Sequence, residues 1–428
     1  MLSTLLILFG LLIILLILNV PIAFSLAIAG FVVLFLEGSV PFSFFIQSTF
    51  GASDSFSIIA IPLFILAGEI MSSGGIAKRL VAFVQSMVST MTGGLGFITI
   101  VASLVFSALS GSGAATVASI GGIMIPYMIK EGYSKSYAAS ITASAGTFGP
   151  MIPPSIVLIL YGVMASVSIS DLFLAGIIPG LLMALALIFV NYFISKKEHF
   201  GEKQKVEDKG FWSALNDAKF GLLAPIIILG GIYAGIVTPT EAAVVAVVYS
   251  LLVSVFIYKE LKIEELSPMF MRAALTSGTI IIFISTAAFF GQILSLEQIP
   301  QFIANAIASI TTNEIIILLL LNVFLLIAGM FMETIAAIIL FVPLLLPIII
   351  PLGVDPIHFG IIVCLNLSIG LITPPLGINL FIASNIAEIK FESTFKYVGI
   401  IFVVILVVLL IITLVPQIST FLPSLLSP

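Results

Sequence analysis

A short polar stretch interrupts an apolar segment at SGSGAAT (110–116) and carries three hydroxyl side chains, Ser110, Ser112 and Thr116. Small residues let the backbone turn tightly and approach a ligand closely. Hydroxyl and carbonyl oxygens are also the ligands that hard cations prefer. The same composition would suit close helix packing through small residues. The stretch therefore predicts either a binding site for a cation or a substrate, or a tight helix contact.

A single acid marks a second such stretch, GMFMETIA (329–336). Glu333 is the only acidic residue between Glu314 and Asp355. An ionisable residue deep in an apolar segment is expected to have a function, because a charge inside a membrane is costly. Glu333 is therefore a candidate to hold a cation, to carry a proton or to hydrogen-bond a substrate. The alternative is an acid that points into water at the outer mouth.

Two stretches rich in glycine and proline, TASAGTFGPMIPPS (142–155) and NLSIGLITPPLGIN (366–379), would each break a helix within an apolar run. Irregular backbone at membrane depth is tolerated only where it is buried in protein or lines a cavity. There it can turn free carbonyls toward a cation and helix N-termini toward an anion. The polar side chains beside these breaks are Thr142, Ser144, Thr147, Asn366, Thr373 and Asn379.

The composition places these breaks in a membrane. Of the 428 residues, 61% are apolar and 8% are charged, against roughly 45–50% and about 25% in soluble domains. Apolar runs long enough to cross a hydrocarbon core of about 30 Å recur along the chain. The first run has no basic flank and continues into another apolar run, so we interpret it as a membrane span and not a signal peptide. The sequence predicts an all-α polytopic protein of the lipid bilayer.

Several other classes of function lack support. The 15 Lys and Arg residues against 20 acids leave no basic face, so no nucleic-acid partner is expected. The chain has no GK[ST] loop to hold ATP phosphates. His199 and His358 lie apart from any candidate nucleophile or metal-ligand cluster in the sequence. We therefore expect a protein that is not an enzyme.

The basic residues fall in five places, at 78–79, 130–135, 196–219, 259–272 and 390–396. The positive-inside rule puts these places in the cytoplasm, and it puts both termini and the loops without basic residues outside. The assignment is consistent with crossings at about 1–18, 20–36, 58–73, 138–166, 172–194, 220–237, 240–258, 273–296, 358–387 and 397–416.

Two further apolar segments, 95–128 and 315–350, have both flanks on one side of the membrane in this assignment. We predict that each enters the membrane and returns as a re-entrant hairpin, the first from the inside and the second from the outside. A pair of full spans would satisfy the charge pattern equally. About 34 residues, however, is short for two crossings and a turn.

The two halves of the chain repeat each other. Glycines and prolines around the first break recur with one offset of 221, as Gly132/Gly353, Gly149/Gly370, Pro153/Pro374 and Pro154/Pro375. Upstream, GEIM (68–71) resembles GQIL (291–294) at an offset of 223. The charge assignment runs these two spans in opposite directions, so the repeats are predicted to be inverted. Inverted repeats with broken helices in matching positions indicate a secondary transporter with a site at the membrane midplane.

This organisation divides the chain into six predicted regions. They are 1–57, N-terminal scaffold helices; 58–194, repeat 1 with hairpin 95–128 and broken helix 138–166; 195–219, a cytoplasmic linker; 220–272, scaffold helices; 273–416, repeat 2 with hairpin 315–350 and broken helix 358–387; and 417–428, a periplasmic tail.

Several motifs closely resemble the large membrane subunit, of the DctM/SiaM type, of tripartite ATP-independent periplasmic (TRAP) transporters. They are SGSGAATVASIGGIMIPYMIKEGY (110–133), GTFGPMIPPSIVLILYG (146–162), DLFLAGIIPG (171–180), GIVTPTEAA (235–243) and LITPPLGINLF (371–381). The resemblance covers nearly the whole chain. It implies a multi-pass protein of the bacterial inner membrane that imports organic acids by Na⁺ symport with an elevator mechanism. It also implies a small Q-type membrane subunit and a P-type periplasmic substrate-binding protein as partners.

The resemblance further implies at least two Na⁺ sites, each where a hairpin tip meets a broken helix. The first would involve Ser110, Gly111, Ser112, Gly113, Ala143, Gly146 and Gly149, and the second Gly329, Met330, Glu333, Ile369, Gly370 and Thr373. The candidate substrate-binding residues are Ser112, Thr116, Thr147, Pro150, Glu333, Thr334, Asn366, Thr373 and Asn379.

The substrate is predicted less directly, because fold does not fix function. Members of this family carry C4-dicarboxylates, sialic acids and other carboxylates. GPMIPPS (149–155) and GMFMET (329–334) resemble the sialic-acid branch, which favours sialic acid over a dicarboxylate. The alternative function is a stand-alone Na⁺/carboxylate symporter that needs no binding protein. A membrane enzyme would need an acid/base or nucleophile cluster, and Glu333 alone does not provide one.

Overall fold

The computed structural model describes residues 2–38, 41–88, 91–201, 210–303, 311 and 313–426. Within these ranges the regular structure is helical, and nine helices are long and apolar enough to cross a membrane. In chain order the helices are α1 (Leu2–Ile17), α2 (Ile22–Glu37), α3 (Ser43–Ser53), α4 (Ala60–Ser73), α5 (Ile76–Ser86), α6 (Gly94–Ser110), α7 (Gly113–Lys130), α8 (Lys135–Ala145), α9 (Ile156–Ala165), α10 (Ile169–Lys197), α11 (Phe211–Tyr233), α12 (Pro239–Leu251), α13 (Ile263–Leu296), α14 (Glu314–Phe331), α15 (Thr334–Ile349), α16 (Pro356–Gly370), α17 (Ile378–Ala387), α18 (Phe395–Leu414) and α19 (Gln417–Leu426).

The first helices pack against α13. Helix α2 lies against both α1 and α13, and α3 also contacts α13. Gly30 permits this packing, because a Cβ there would lie 2.7 Å from the ring of Phe289. Phe45 of α3 meets the same ring edge-on, with 4.8 Å between the ring centroids. A tightly packed aromatic contact therefore joins the N-terminal helices to the middle of the chain.

Each predicted hairpin is a pair of helices joined by a two-residue turn. Helix α6 ends at Ser110, Gly111 takes a left-handed conformation with φ of 58°, and α7 begins at Gly113. Helix α14 likewise ends at Phe331, and α15 begins at Thr334. A helix pair lies at each of the predicted positions. Their re-entrant character stays a prediction, since α7, α14 and α15 are also long and apolar enough to cross a membrane.

Both predicted broken helices are interrupted where glycine and proline cluster. Helix α8 ends at Ala145, and α9 begins at Ile156 after Ser155, whose side chain caps it. Helix α16 ends at Gly370, and α17 begins at Ile378. The peptide bonds Pro153–Pro154 and Pro374–Pro375 are both cis. The two breaks thus share a backbone pattern at equivalent positions of the repeat.

The helix boundaries follow the repeat closely. Adding the offset of 221 to the bounds of α6, α7 and α9 reproduces those of α14, α15 and α17 to within two residues. Helix α8 shifts onto the start of α16 in the same way. The same order of helix, turn, helix, broken helix therefore occurs twice in the chain.

Helices run through three of the predicted regional boundaries, and the first of these, 194/195, lies within α10, which ends at Lys197. Helix α11 starts at Phe211 and passes through 219/220, and α13 starts at Ile263 and passes through 272/273. The predicted boundaries are set at charged side chains, which mark where a helix leaves the apolar part of the membrane. The backbone hydrogen bonds of the helix continue past that point. Segment 37–57, which lies between the predicted crossings 20–36 and 58–73, contains α3, and the predicted tail contains α19, which packs on α10. Residues 202–209 of the predicted linker lie outside the described residues.

Candidate functional site

The first hairpin tip is a cluster of hydroxyl groups. The hydroxyl of Thr116 lies 3.1 Å from those of both Ser107 and Ser110, and it donates a hydrogen bond to the carbonyl of Ser112 at 2.9 Å. The Ser112 hydroxyl caps α7 by accepting from the backbone N–H of Ala115 at 3.4 Å. Thr116 is fully buried behind the tip. The predicted polar residues of this tip therefore lie together.

This tip rests directly on the first helix break. A Cβ on Gly149 would overlap the backbone of Ser112 and Gly113, and a Cβ on Gly113 would lie 2.7 Å from the carbonyl oxygen of Gly146. Glycine is required here because backbone meets backbone with no room for a side chain. The structure brings together these residues of the predicted first Na⁺ site.

The second tip meets the second break in the same manner. A Cβ on Gly370 would overlap the carbonyl group of Gly329, and the backbone N–H of Leu376 donates to the carbonyl of Met330 at 3.4 Å. The Thr373 hydroxyl donates to the carbonyl of Ile369 at 2.7 Å. The backbone groups of the predicted second Na⁺ site therefore converge, while the Thr373 hydroxyl is used within its own break.

Asn379 links the two broken helices. Its side-chain Nδ2 donates to the carbonyl of Ala143 in the first break at 3.2 Å, and its backbone N–H donates to Leu371 in the second at 3.0 Å. The side chain is fully buried, yet its Oδ1 has no hydrogen-bond partner among the described residues. A buried acceptor without a partner costs about 1–3 kcal/mol. This amide oxygen is therefore suited to accept from or coordinate a ligand.

A cavity of about 350 Å³ lies between the two hairpin tips and helices α4 and α13. A second cavity, of about 290 Å³, adjoins it and shares Ser112 and Glu333. Predicted site residues that line one or both cavities are Ser110, Gly111, Ser112, Gly113, Pro150, Glu333 and Thr334. Both tips thus face the same space.

Glu333 occupies the N-terminus of α15. One carboxylate oxygen accepts from the backbone N–H groups of Ile335 at 3.0 Å and Ala336 at 3.3 Å. A carboxylate is favourable there because the helix N-terminus carries partial positive charge and unpaired N–H groups. The neighbouring Thr334 hydroxyl is buried, lines the second cavity and has no partner among the described residues. This tip therefore offers both a negative charge and an unused hydroxyl.

Some predicted residues line neither cavity. The Thr147 hydroxyl donates to the carbonyl of Ser144 at 2.6 Å. The side-chain amide of Asn366 donates to Oδ1 of Asn322 at 2.7 Å, and Asn322 in turn donates to Thr413 at 2.9 Å. Asn366 thus joins α16 to α14 and α18. Its position beside the break was visible in sequence, but the face of the helix that it occupies was not.

The wall of the larger cavity opposite the tips contains residues that were not predicted from the sequence. Gly68, Glu69 and Ser72 of α4 and Thr276 of α13 line it. A Cβ on Gly68 would lie 3.2 Å from the carbonyl oxygen of Ser110, so the first tip rests on α4. Glu69 is an acid within a predicted crossing and lies in the repeated GEIM motif. Both features could have marked it as a site residue.

Among the residues that the structure describes, no group of three or more His, Cys, Asp and Glu side chains could hold a metal ion. Apart from the Glu333 carboxylate at the second tip, the oxygen groups around the tips are hydroxyls, amides and backbone carbonyls. Such neutral oxygens are ligands for hard cations of low charge and are poor ligands for transition metals.

Comparison with known proteins identifies the class to which this fold and site belong. The family model of the tripartite ATP-independent periplasmic transporter, DctM component, matches residues 9–418. The chain belongs to this family. With its many apolar helices, it is a multi-pass protein of the inner membrane and the large permease subunit of a TRAP transporter.

Three relatives whose names give different substrates are similar in sequence to this chain. An isethionate TRAP transporter permease protein, DctMQ, of Oleidesulfovibrio alaskensis is 46% identical over 97% of this chain, which spans 66% of that relative's length. The sialic acid TRAP transporter large permease SiaM of Vibrio cholerae is 37% identical over 95% of each chain. The C4-dicarboxylate large permease DctM of Pseudomonas aeruginosa is 39% identical over 88% of each chain.

A solved structure shares the fold at low sequence identity. The YdaH transporter of Alcanivorax borkumensis superposes with a TM-score of 0.63 at 13% identity, over 90% of this chain and 88% of that one. At this identity the likeness concerns the fold alone.

Proposed function

We propose that this chain carries an organic acid into the cell by Na⁺ symport, in an elevator-type movement. The observation that carries this proposal is the convergence of two hairpin tips, one from each repeat, on the cavities beside Ser112 and Glu333. Secondary transporters built from inverted repeats bind their substrates between the repeats, beside broken helices. The predicted inversion of the two halves fits this pattern.

Na⁺ is the proposed coupling ion because neutral oxygens surround each contact between a tip and a break. At the first contact, a Cβ on Gly113 would lie 2.7 Å from the carbonyl oxygen of Gly146, and a Cβ on Gly146 would lie 3.1 Å from the carbonyl oxygen of Gly113. At the second, the carbonyl of Gly329 faces Gly370. Two Na⁺ ions, one at each contact, would bring positive charge next to the cavities. They would thereby favour an anionic substrate there.

The proposed substrate is an organic acid because the N-terminus of α7, which is capped by the neutral Ser112, lines the smaller cavity. Helix N-termini offer N–H groups and partial positive charge to an anion. Isethionate, sialic acid and C4-dicarboxylates are the candidates that the relatives' names supply. Isethionate is the first to assay, because the relative named for it is 46% identical to this chain. Sialic acid, which the sequence motifs favour, stands beside it in the same assay.

The proposed movement separates two groups of helices. The hairpins and broken helices would move together, since Asn379 ties one break to the other and each tip rests on its own break. The predicted scaffold regions, 1–57 and 220–272, would stay stationary, and they contain α1–α3, most of α11, α12 and the start of α13. A Q-type small subunit would pack against the scaffold, and a P-type binding protein would deliver the substrate from the periplasm, where both termini would lie.

The test is uptake into liposomes that contain this chain with its small subunit. The cognate binding protein is added outside, loaded with radiolabelled isethionate, sialic acid or succinate. We expect accumulation of one of these acids that requires an inward Na⁺ gradient and the binding protein. Accumulation without the binding protein would favour a stand-alone symporter, and accumulation that does not depend on Na⁺ would contradict the proposed coupling.

A further inference from the structure

The residues that line the larger cavity carry negative charge, which is unfavourable for a site that receives an anion. Two carboxylates, Glu69 and Glu333, line it, and no Lys or Arg is among its lining residues. Carboxylates repel an incoming anion, because like charges repel each other. An acid that enters this space therefore needs a positive group beyond the helix N-termini.

Arg272 contacts one of the acids that line this cavity. Its Nε is 3.1 Å from Oε2 of Glu69, so a cavity-lining acid on α4 is paired with a cation on α13. Thr276, one helical turn further along α13, lines the same cavity. The Arg272 side chain is 54% exposed and that of Glu69 is 36% exposed. The ion pair is thus open to water, and its acidic member borders the cavity.

The chemistry of the pair suits exchange with an anion. A guanidinium group has five N–H donors, and the contact with Glu69 is made through Nε. The planar fork of arginine binds carboxylates and similar oxyanions through two parallel hydrogen bonds. Exposed ion pairs contribute little net stability. A substrate anion could therefore replace Glu69 at Arg272 without a large cost.

The equivalent contact in the other half carries no charge. Glu69 of GEIM corresponds to Gln292 of GQIL, and Gln292 accepts a hydrogen bond from the hydroxyl of Ser48 on α3. Glu69 is therefore paired with a charged side chain, whereas its equivalent, Gln292, makes a hydrogen bond between neutral side chains. The charge pattern of the loops places Arg272 near the cytoplasmic face, which is the face where an importer releases its substrate.

We propose that Arg272 binds the acid group of the substrate at the cytoplasmic rim of the cavity, and that Glu69 competes for Arg272 and so promotes release. This inference rests on the proposed transport of an organic acid. It adds a specificity-determining arginine and an internal competing anion outside the hairpin tips and helix breaks.

The test measures binding at the cytoplasmic side by counterflow. Liposomes with oriented wild-type protein, small subunit and binding protein are loaded with increasing concentrations of the acid that wild type accumulates. The half-saturating internal concentration and the maximal rate are then recorded. Arg272→Gln should raise the half-saturating concentration about tenfold, because a charge-assisted hydrogen bond is lost. Glu69→Gln should lower it roughly twofold to fivefold, and should slow the maximal rate, because the competing ion pair is removed.

A second ion pair of the chain supplies the matched control. Arg79 and Glu260 lie 2.7 Å apart, and neither lines the described cavity. Arg79→Gln and Glu260→Gln should leave the half-saturating concentration unchanged. Arg272→Lys retains the charge without the fork, and it should give an intermediate value. It also serves as a second variant if Arg272→Gln does not fold.

Opposite shifts for Glu69→Gln and Arg272→Gln support the proposal, since a purely structural ion pair would give the same shift for both. Equal shifts, or no shift in either variant, overturn it. A wild-type protein that accumulates none of the three acids contradicts the proposed function instead. The wild-type measurement therefore separates the two failures.

Discussion

The two hairpin tips have the same backbone and different chemistry. Ser112 and Glu333 are separated by the repeat offset of 221, and each caps the second helix of its hairpin with its side chain. Both line the same two cavities. One cap is a neutral hydroxyl and the other is a carboxylate. The repeat therefore conserves where a side chain is placed, while the side chain itself decides what that tip can bind.

The contrast continues behind the tips. Ser107 and Thr116 belong to the hydroxyl cluster of the first tip, whereas the offset places Ala328 and Ala337 at the equivalent positions of the second. The first tip thus distributes its polarity over several neutral oxygens. The second concentrates it in Glu333. If each tip holds one Na⁺ ion as proposed, the two sites should differ in Na⁺ affinity, and variants at matched positions of the two tips can measure that difference.

The largest loss of uptake is expected from changes at the close contact between tip and break, which both repeats have in common. Gly149→Ala and Gly370→Ala each place a methyl group against the backbone of the facing tip. Each should abolish Na⁺-dependent uptake and destabilise the protein by about 1–3 kcal/mol, because overpacked backbone must move apart. Uptake and thermal unfolding measure these effects.

The control for the glycine variants is Gly122→Ala in α7, where a Cβ would meet nothing within 4 Å. It should leave uptake unchanged. Normal uptake by either Gly149→Ala or Gly370→Ala would show that the close contact of tip and break is dispensable.

Removal of the charged cap, Glu333, should reduce uptake more than removal of the neutral cap, Ser112. Glu333→Gln removes a carboxylate that accepts two backbone hydrogen bonds, so it should reduce uptake about ten- to a hundredfold and raise the half-saturating Na⁺ concentration. Ser112→Ala removes a neutral cap and should reduce uptake about fivefold at most. Initial rates against Na⁺ concentration distinguish the two variants. Equal losses would mean that the negative charge has no special role.

A smaller effect should follow from disrupting the hydroxyl cluster. Thr116→Val removes the hydroxyl that bridges Ser107 and Ser110. It should destabilise the protein by about 1–2 kcal/mol and raise the half-saturating Na⁺ concentration a fewfold. Thermal unfolding and Na⁺ titration of uptake test both parts.

Thr99→Val is the matched control for that variant, because Thr99 is a buried threonine of the same hairpin that donates to the carbonyl of Leu95. It should lower stability without changing the Na⁺ dependence. If Thr99→Val changed Na⁺ dependence as much as Thr116→Val, the cluster would have only a structural role.

The sequence by itself determined the membrane class, the two helix pairs, the two broken helices, the repeat and the family. These features depend on local physics: apolar runs must lie in lipid, and glycine and proline end helices wherever they cluster. The tip residues at 110–113 and Glu333 were found in the same way, since a polar residue in an apolar segment is visible without a structure.

Only the tertiary structure decided which side chains face the cavities. Asn366 and Asn379 both flank a break, yet one joins neighbouring helices and the other spans the two breaks. Glu69 and Arg272 are 203 residues apart in the chain and meet at 3.1 Å. The direction of a side chain on a helix and its distant partners depend on how helices pack, and neither can be derived from the order of residues along one segment.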